Sequence, residues 1–560
     1  MSENPAHSNS QSYLQAHSGL GTGSVLLLAF LLRLWKASGT FLNLDEAMHF
    51  LAANKSSLAE AYHASFSLAH PPLLILLLNV WRSLGRSELA LRLPSVMAGT
   101  IFCWIFFKWL TRLLGPVAGW VGLILVSFLP PFVELSSEIR QYPMLLCFLI
   151  AATYVLELAL AENSVGRMSF SFFFLYLAML THFSAILFAG AVGISSLWRL
   201  LSARLSRSVV AIWIVGQVGA LGLFTWLYQT HIASLKNSAQ AQHMQALLGN
   251  SYFQPGHGHL LRFVFARTFG VFQYAFGQLA VGDVAGLLFV LAVGLLLCGD
   301  GIEKQSSPTP RQLGVFLVLP FVITCLAAIA GLYPYGGTRH SALLVPFAVA
   351  GVSHAMAKLV RQKLAYALGS ALLIVAVCQV LGAPHRPYMR REDQRRANMT
   401  QAIDAIRQQV APADTIFVDF QTNFLIRFYL CPDAGSGVFA ASGFKEYSCA
   451  GYRVISTGPD TSILTADLFA SRWNEMVNSY HLPPDQTVWI FQAGWDIGLA
   501  RYLQEKFSEF HGLKSASFGR NISLFKLTTG RAGQPPSAVR RSNRPHFSLA
   551  RALRRSLDGP

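Results

Sequence analysis

The feature that most constrains this chain is a succession of apolar runs between residues 21 and 382. A helix rises 1.5 Å per residue and the hydrocarbon of a bilayer is about 30 Å thick, so runs approaching twenty residues with few charges read as membrane spans. Candidates lie at 21–35, 89–109, 117–133, 143–160, 168–181, 183–198, 209–229, 281–298, 313–331, 341–357 and 364–382, about eleven in all. Composition agrees: 53% of the 560 residues are hydrophobic and only 13% charged, and the mean hydropathy is +0.42. A soluble protein carries about twice that share of charge. The fold class expected is an α-helical polytopic membrane protein.

The formal net charge of +17 does not point to nucleic acid. Lys and Arg fall in short connections between apolar runs and near the C-terminus, where membrane orientation accounts for them. On one side lie Lys108, Arg112 and most later connections, down to Lys358, Arg361 and Lys363; the short connections opposite hold Arg140 and Arg339. The first side is therefore expected to be cytoplasmic. One pair resists this vote, since Arg33 and Lys36 end the first span on the other side.

The order of elements follows. Residues 1–20, polar and without apolar periodicity, are expected to form a disordered cytoplasmic tail. Residues 21–382 form the membrane domain, with a first outward connection at 39–88 and another at 230–280. Within the first, residues 70–84 are apolar, opened by Pro71 and Pro72 and too short to cross, so they are expected to lie along the interface as an amphipathic helix. Residues 383–529 change character. Helical spacing over 395–410, 423–430 and 496–507 alternates with strand patterns at 415–420, 452–456, 487–492 and 522–527, as in a small α/β domain. Residues 530–560, basic and rich in Ser and Pro, are expected to be disordered.

Cys103, Cys147, Cys298, Cys325 and Cys378 lie in spans and read as small core residues. Cys431 and Cys449 share the outward domain, where an oxidising compartment favours a bridge over two free thiols.

Chemistry gathers at the outward connections. Asp45 and Glu46 follow the first span directly, at a boundary where a low dielectric would raise a carboxylate's proton affinity and suit it to general-base work. The alternative is that Asp45 caps a helix starting at Glu46. Glu138, Arg140 and Tyr142 close the next outward connection, and a guanidinium there matches phosphate oxygens, although Glu138 and Arg140 also read as a surface pair. His70 precedes two prolines, His182 sits in a tight turn, and Arg339 and His340 end a connection containing Gly336 and Gly337. That glycine pair suits a phosphate cradle or a tight interhelical turn. No Walker, Rossmann or zinc spacing is present.

In order, the Asp-Glu pair, HPPLLILLLNVW, SELALRLPSVMAG, SSEIRQYPMLL, THF and the Arg-His connection resemble the protein mannosyltransferase-like GT-C glycosyltransferases of bacteria, over roughly residues 20–380. That family includes dolichyl-phosphate-mannose protein mannosyltransferases and lipid A aminoarabinose transferases. The resemblance implies inverting transfer of a sugar from a polyprenyl-phosphate donor to an extracytoplasmic lipid, glycan or protein at a bacterial inner membrane. By motif, the catalytic set would be Asp45 as the base, Glu46 as its neighbour that orients the site or binds acceptor, and Glu138 as the second-loop acid. His70, Arg140, Tyr142, His182, Arg339 and His340 would be candidates to bind substrate. The segment after His70 lacks the Lys of the aminoarabinose transferases, which disfavours lipid A as acceptor. No cofactor is implied, and a divalent metal is not favoured. The competing class is a transporter or flippase of lipid-linked sugars; it calls for broken spans at the midplane and an internal repeat, and neither is evident.

Overall fold

The computed structural model describes residues 5–202, 205–235, 248–256, 258–299, 308–382, 394–412, 414–435, 437–439, 443–461, 463–494, 499–506, 508–519 and 521–530. The tail expected at 530–560 lies outside them but for residue 530. The protein is a bundle of apolar helices followed by a sheet domain. Among the described residues nine helices are long and apolar enough to cross a membrane, or ten if one bent pair counts as a single span. The bent pair and Val165–Thr181, which is shorter, fill the remaining positions expected from sequence.

The first helix, α1 (Pro5–Ser38), starts earlier than expected, because nothing after Pro5 interrupts helical geometry. The membrane-length part is Gly19–Ser38. The first long connection then folds into α2 (Leu44–Ala53), α3 (Leu58–Ser65) and α4 (Leu73–Trp81). At nine residues α4 is too short to cross. The next span, α5 (Glu88–Leu114), is capped by Ser87, whose side chain accepts from the Ala90 amide. Gly115, at φ 89°, ends it, and Pro116 opens α6 (Pro116–Phe128).

Pro130 and Pro131 cannot continue the ladder of α6, so the chain bends by 58° into α7 (Pro130–Ser136). The bend frees carbonyls, and the buried Arg33 guanidinium donates to those of Val126 (3.0 Å) and Ser127 (2.9 Å). Lys36 pairs with Glu134 at 2.8 Å. These contacts explain the two cations that resist the orientation vote: they staple α1 to the broken helix.

Tyr142–Glu162 (α8), Val165–Thr181 (α9), Ser184–Ser202 (α10) and Arg207–Leu227 (α11) follow. A helix at Leu260–Phe276 falls where a connection was expected; Arg262 and Arg267 interrupt its apolar character. The late spans Leu279–Leu297, Pro310–Ile329 and Leu364–Leu381 and the helix Val345–Leu359 complete the bundle.

The C-terminal domain is one seven-stranded sheet. Its strands are β1 (Thr415–Val418), β2 (Val438–Phe439), β3 (Phe444–Cys449), β4 (Tyr452–Thr457), β5 (Thr487–Ala493), β6 (Gly512–Ser517) and β7 (Ile522–Thr528), in the order β2-β3-β4-β1-β5-β7-β6. The central β4-β1-β5 pairings are parallel and the outer ones antiparallel. Helices at Arg396–Gln409 and Thr422–Leu430 match expectation, as does Leu499–Glu505, where part of the range expected, 496–498 and 507, lies outside the described residues; Ala466–Ser479 is additional. Cys431 and Cys449 form the expected disulfide.

The two domains share a core. Phe41, Leu44 and Ala47 are buried with Met399, Leu425, Ile426 and Phe491 of the C-terminal domain. Backbone bonds stitch the same segment down, Phe41 donating to Gln394 and Arg396 to Gly39. The helix carrying Asp45 is therefore held by both domains.

Candidate active site

The amino end of α2 decides how its two carboxylates face. Asn43, not Asp45, is the N-cap: its side chain accepts from the Glu46 amide (3.1 Å), and the Glu46 carboxylate accepts from the Asn43 amide (2.8 Å), closing a capping box. Asp45 is thereby left free of capping duty.

Glu46 is fully buried and saturated. Its carboxylate takes two bonds from the Arg92 guanidinium, both 2.7 Å, and one from the Ile139 amide at 2.8 Å. Arg92 also donates to the carbonyls of Ala37, Thr40 and Phe41. This corrects the expectation of a catalytic or acceptor-binding Glu46: every strong acceptor direction is already used, so the residue fixes the frame.

Asp45, next in the chain, keeps 38% of its side chain exposed. It ion-pairs with Arg140 and, at 3.2 Å, with Arg339. It does not stand alone in an apolar wall but between two guanidinium groups. Arg140 is buried; burial works against its charge, but Asp45 and then Glu138 hold its pKa above the ordinary value. Glu138 reaches Arg140 at 3.4 Å, and Ser95 of α5 holds the Arg140 backbone at both its amide and its carbonyl. The Glu138–Arg140 pair is thus part of the Asp45 cluster rather than an isolated surface pair.

A column of rings adjoins it. His49, one helical turn after Asp45, bonds through Nδ1 to the Asp45 carbonyl, and its ring stacks on His70 at 5.4 Å. His70 stacks on His182 at 5.8 Å, and Tyr142 meets His182 at 5.2 Å. The Gln141 amide nitrogen lies 3.0 Å from His70 Nδ1. Burial, and then Arg140, pushes His49 down to about 4. Burial, and then Arg339, takes His182 to about 3, and His70 is well below its ordinary value through burial and its two imidazole neighbours. These imidazoles are therefore neutral near pH 7. They offer polar contacts to a ligand but no charge for a phosphate, which leaves that task to the arginines.

Arg339 opens the turn Arg339–Leu344, and the His340 carbonyl accepts from the Tyr333 hydroxyl at 2.9 Å. The glycine pair resolves toward packing. A Cβ on Gly337 would stand 2.7 Å from the Gly270 carbonyl oxygen, and one on Gly336 would stand 2.9 Å from Arg267. The pair lets this connection press against the helix Leu260–Phe276. Among the described residues no group of three or more His, Cys, Asp or Glu is placed to hold a metal ion.

Two further contributors, Arg92 and His49, fall by sequence in the same stretch as Asp45, but nothing in their spacing alone assigns either a role. Arg92 carries the clamp on Glu46, and only its position one turn into a span hinted at a buried partner. His49 carried a readable signal, its spacing of four from Asp45, which puts both on one helix face.

Residues 69–228 match the family model described as dolichyl-phosphate-mannose-protein mannosyltransferase. No curated protein sequence matches the chain. Among solved structures, ArnT from Cupriavidus metallidurans bound to undecaprenyl phosphate is 11% identical, covers 91% of this chain and 98% of its own, and superposes with a TM-score of 0.49. AglB, the oligosaccharyltransferase of Archaeoglobus fulgidus, in complex with an inhibitory peptide and a dolichol-phosphate, is 12% identical, covers 90% and 74%, and gives 0.48. By its matching region the chain is similar to the membrane glycosyltransferases of the GT-C class, which are transferases.

Proposed function

We propose that this protein transfers a sugar, with inversion, from a polyprenyl-phosphate carrier to an acceptor on the extracytoplasmic face of a bacterial inner membrane, with Asp45 as general base. The observation that carries the reading is the division of labour on α2: Glu46 is sealed into the frame while Asp45 faces an opening between two guanidinium groups. The match to a mannosyltransferase model supports the donor class.

Asp45 takes the proton of the acceptor hydroxyl as its oxygen bonds to the anomeric carbon, and the bond from that carbon to the phosphate oxygen breaks on the opposite side. A phosphate is already a weak base on leaving, so it needs charge neutralisation more than a proton. Arg339, a third exposed, is the accessible cation for that task; Arg140, already engaged by two carboxylates, orients Asp45. The reaction is written without a metal. In this reading the C-terminal domain is extracytoplasmic, since it packs on the face that carries Asp45.

The test is release of polyprenyl phosphate from a panel of polyprenyl-phosphate sugars by purified protein. Transfer that is lost in Asp45→Asn supports the reading. A lipid that binds, crosses the membrane in vesicles and is never cleaved would replace it with a flippase.

A further inference from the structure

About 14 Å along α2 from Asp45, nine residues on at the helical rise, a second cluster of charge lies between the first long connection and the C-terminal domain. A cavity of about 350 Å³, within the range of small-ligand sites, is lined by Lys55, Arg82 and Arg427 together with Asn54, Glu60 and Asp433. We propose that this cavity is an anion subsite which holds a phosphate or carboxylate group of the acceptor. The assignment to the acceptor rests on the glycosyl-transfer reading; the anion site itself does not.

The cavity wall carries an excess of positive charge. None of the three cations has an ion-pair partner among the described residues. Lys55 makes no side-chain bond, and Arg82 is held by neutral acceptors, the side chain of Asn54 and the carbonyls of Lys55 and Asn79. Arg427 is more than nine-tenths buried, donates once to the Ala434 carbonyl at 3.0 Å, and keeps its Nε without a partner. Of the acids in the lining, Asp433 pairs with Arg86 at 3.0 Å, outside the three cations, and accepts from Asn54 at 3.1 Å, while Glu60 accepts from the Ser56 hydroxyl at 2.7 Å; three cations thus face one acid not paired elsewhere. Behind the cavity, burial, and then Arg427 and Lys55, pushes the Lys445 ammonium down to about 8.

Cations in excess over the acids beside them repel, and a buried guanidinium nitrogen without an acceptor costs stability. A phosphate or carboxylate relieves both, and Arg matches its oxygens in shape. The disulfide Cys431–Cys449 anchors the rim residues Pro432–Gly435 and so keeps the cavity formed between the two domains. A group bound here and a hydroxyl at Asp45 would belong to one extended acceptor.

The experiment uses the full-length protein and inorganic phosphate as probe, titrated at constant ionic strength into wild type, Lys55→Glu, Lys55→Met and Arg339→Gln. The Lys55 side chain makes no bond among the described residues, and the bonds of its backbone survive substitution. The expectation is saturable binding, weakened by at least about tenfold in Lys55→Glu, less in Lys55→Met, and retained at this site in Arg339→Gln. Equal binding by wild type and both Lys55 variants overturns the site. In the second arm, transfer to phosphorylated acceptors is compared with transfer to their dephosphorylated forms. A KM raised by Lys55→Glu at unchanged kcat, for the phosphorylated forms alone, assigns the subsite to the acceptor. Equal KM for the two forms in wild type overturns that assignment. Lys55-dependent phosphate binding without any transfer keeps the anion site and discards the glycosyltransferase reading.

Discussion

Asp45 and Glu46 are neighbours of like chemistry placed in opposite surroundings. The Glu46 carboxylate is sealed, with Arg92, Asn43 and Ile139 filling its acceptor directions. Asp45 is more than a third exposed and pairs with the guanidinium groups of Arg140 and Arg339. Adjacent side chains on a helix point about 100° apart, and the cap on Asn43, with Arg92 and Ile139, holds Glu46 on the inner side. One carboxylate then sets the frame, and the other is the one the proposed reaction uses.

The largest expected effect breaks the open side. Asp45→Asn keeps shape and removes the proposed base, and transfer should fall by at least about a hundredfold with the thermal midpoint of the purified protein little changed. Activity within a few-fold of wild type would move the base elsewhere. Glu46→Gln should do the reverse. It strands Arg92 in a buried site, and breaking such a pair costs about 3–5 kcal/mol, so loss of folded protein in detergent melts should precede any specific kinetic defect. A well-folded Glu46→Gln that binds donor and does not turn it over would abolish the contrast.

The wall between the two sides responds to pH. The ordinary value for His is 6.5, and the fold depresses His49 to about 4 and His182 to about 3. Below pH 6.5 the unfolded chain therefore takes up protons that the folded protein refuses, so stability is full above that pH and falls as the pH drops toward 4. Melting midpoints should decline between pH 7 and pH 5, and His49→Gln should flatten part of the decline. A flat wild-type profile would mean that these imidazoles are charged or accessible in the fold.

What the chain made legible follows from how local each signal was. The spans, Asp45 at the end of the first, and the alternation around β1, β4 and β5 rest on runs or patterns within a short window. The role of Glu46 depends on Arg92, in the next span, and on an amide further on, neither of which spacing can supply. The helix Leu260–Phe276 was hidden by its arginines, and β6, at the sheet edge with mostly exposed residues, lacks the apolar alternation that marks a buried strand. Arg33 looked like an orientation signal because its acceptors, the carbonyls freed at Pro130, belong to another helix.

The smallest predicted effect tests whether the sealed side governs the open one. Tyr429 of the C-terminal domain accepts from the Leu42 amide at 2.9 Å and donates to Glu88, which also pairs with Arg396 at 2.6 Å. The bond fixes the residue just before the cap, and so the direction in which Asp45 projects. Tyr429→Phe leaves a partly buried amide unpaired, a cost of about 1–3 kcal/mol, while the apolar packing of Phe41 and Leu44 is retained. If the C-terminal domain positions Asp45, kcat should drop several-fold with donor KM unchanged, and adding the substitution to Asp45→Asn should cost nothing more. A lowered melting midpoint with intact kcat would show that the domain is docked on α2 without steering it, and the contrast between the two carboxylates would then rest on Asn43, Arg92 and Ile139.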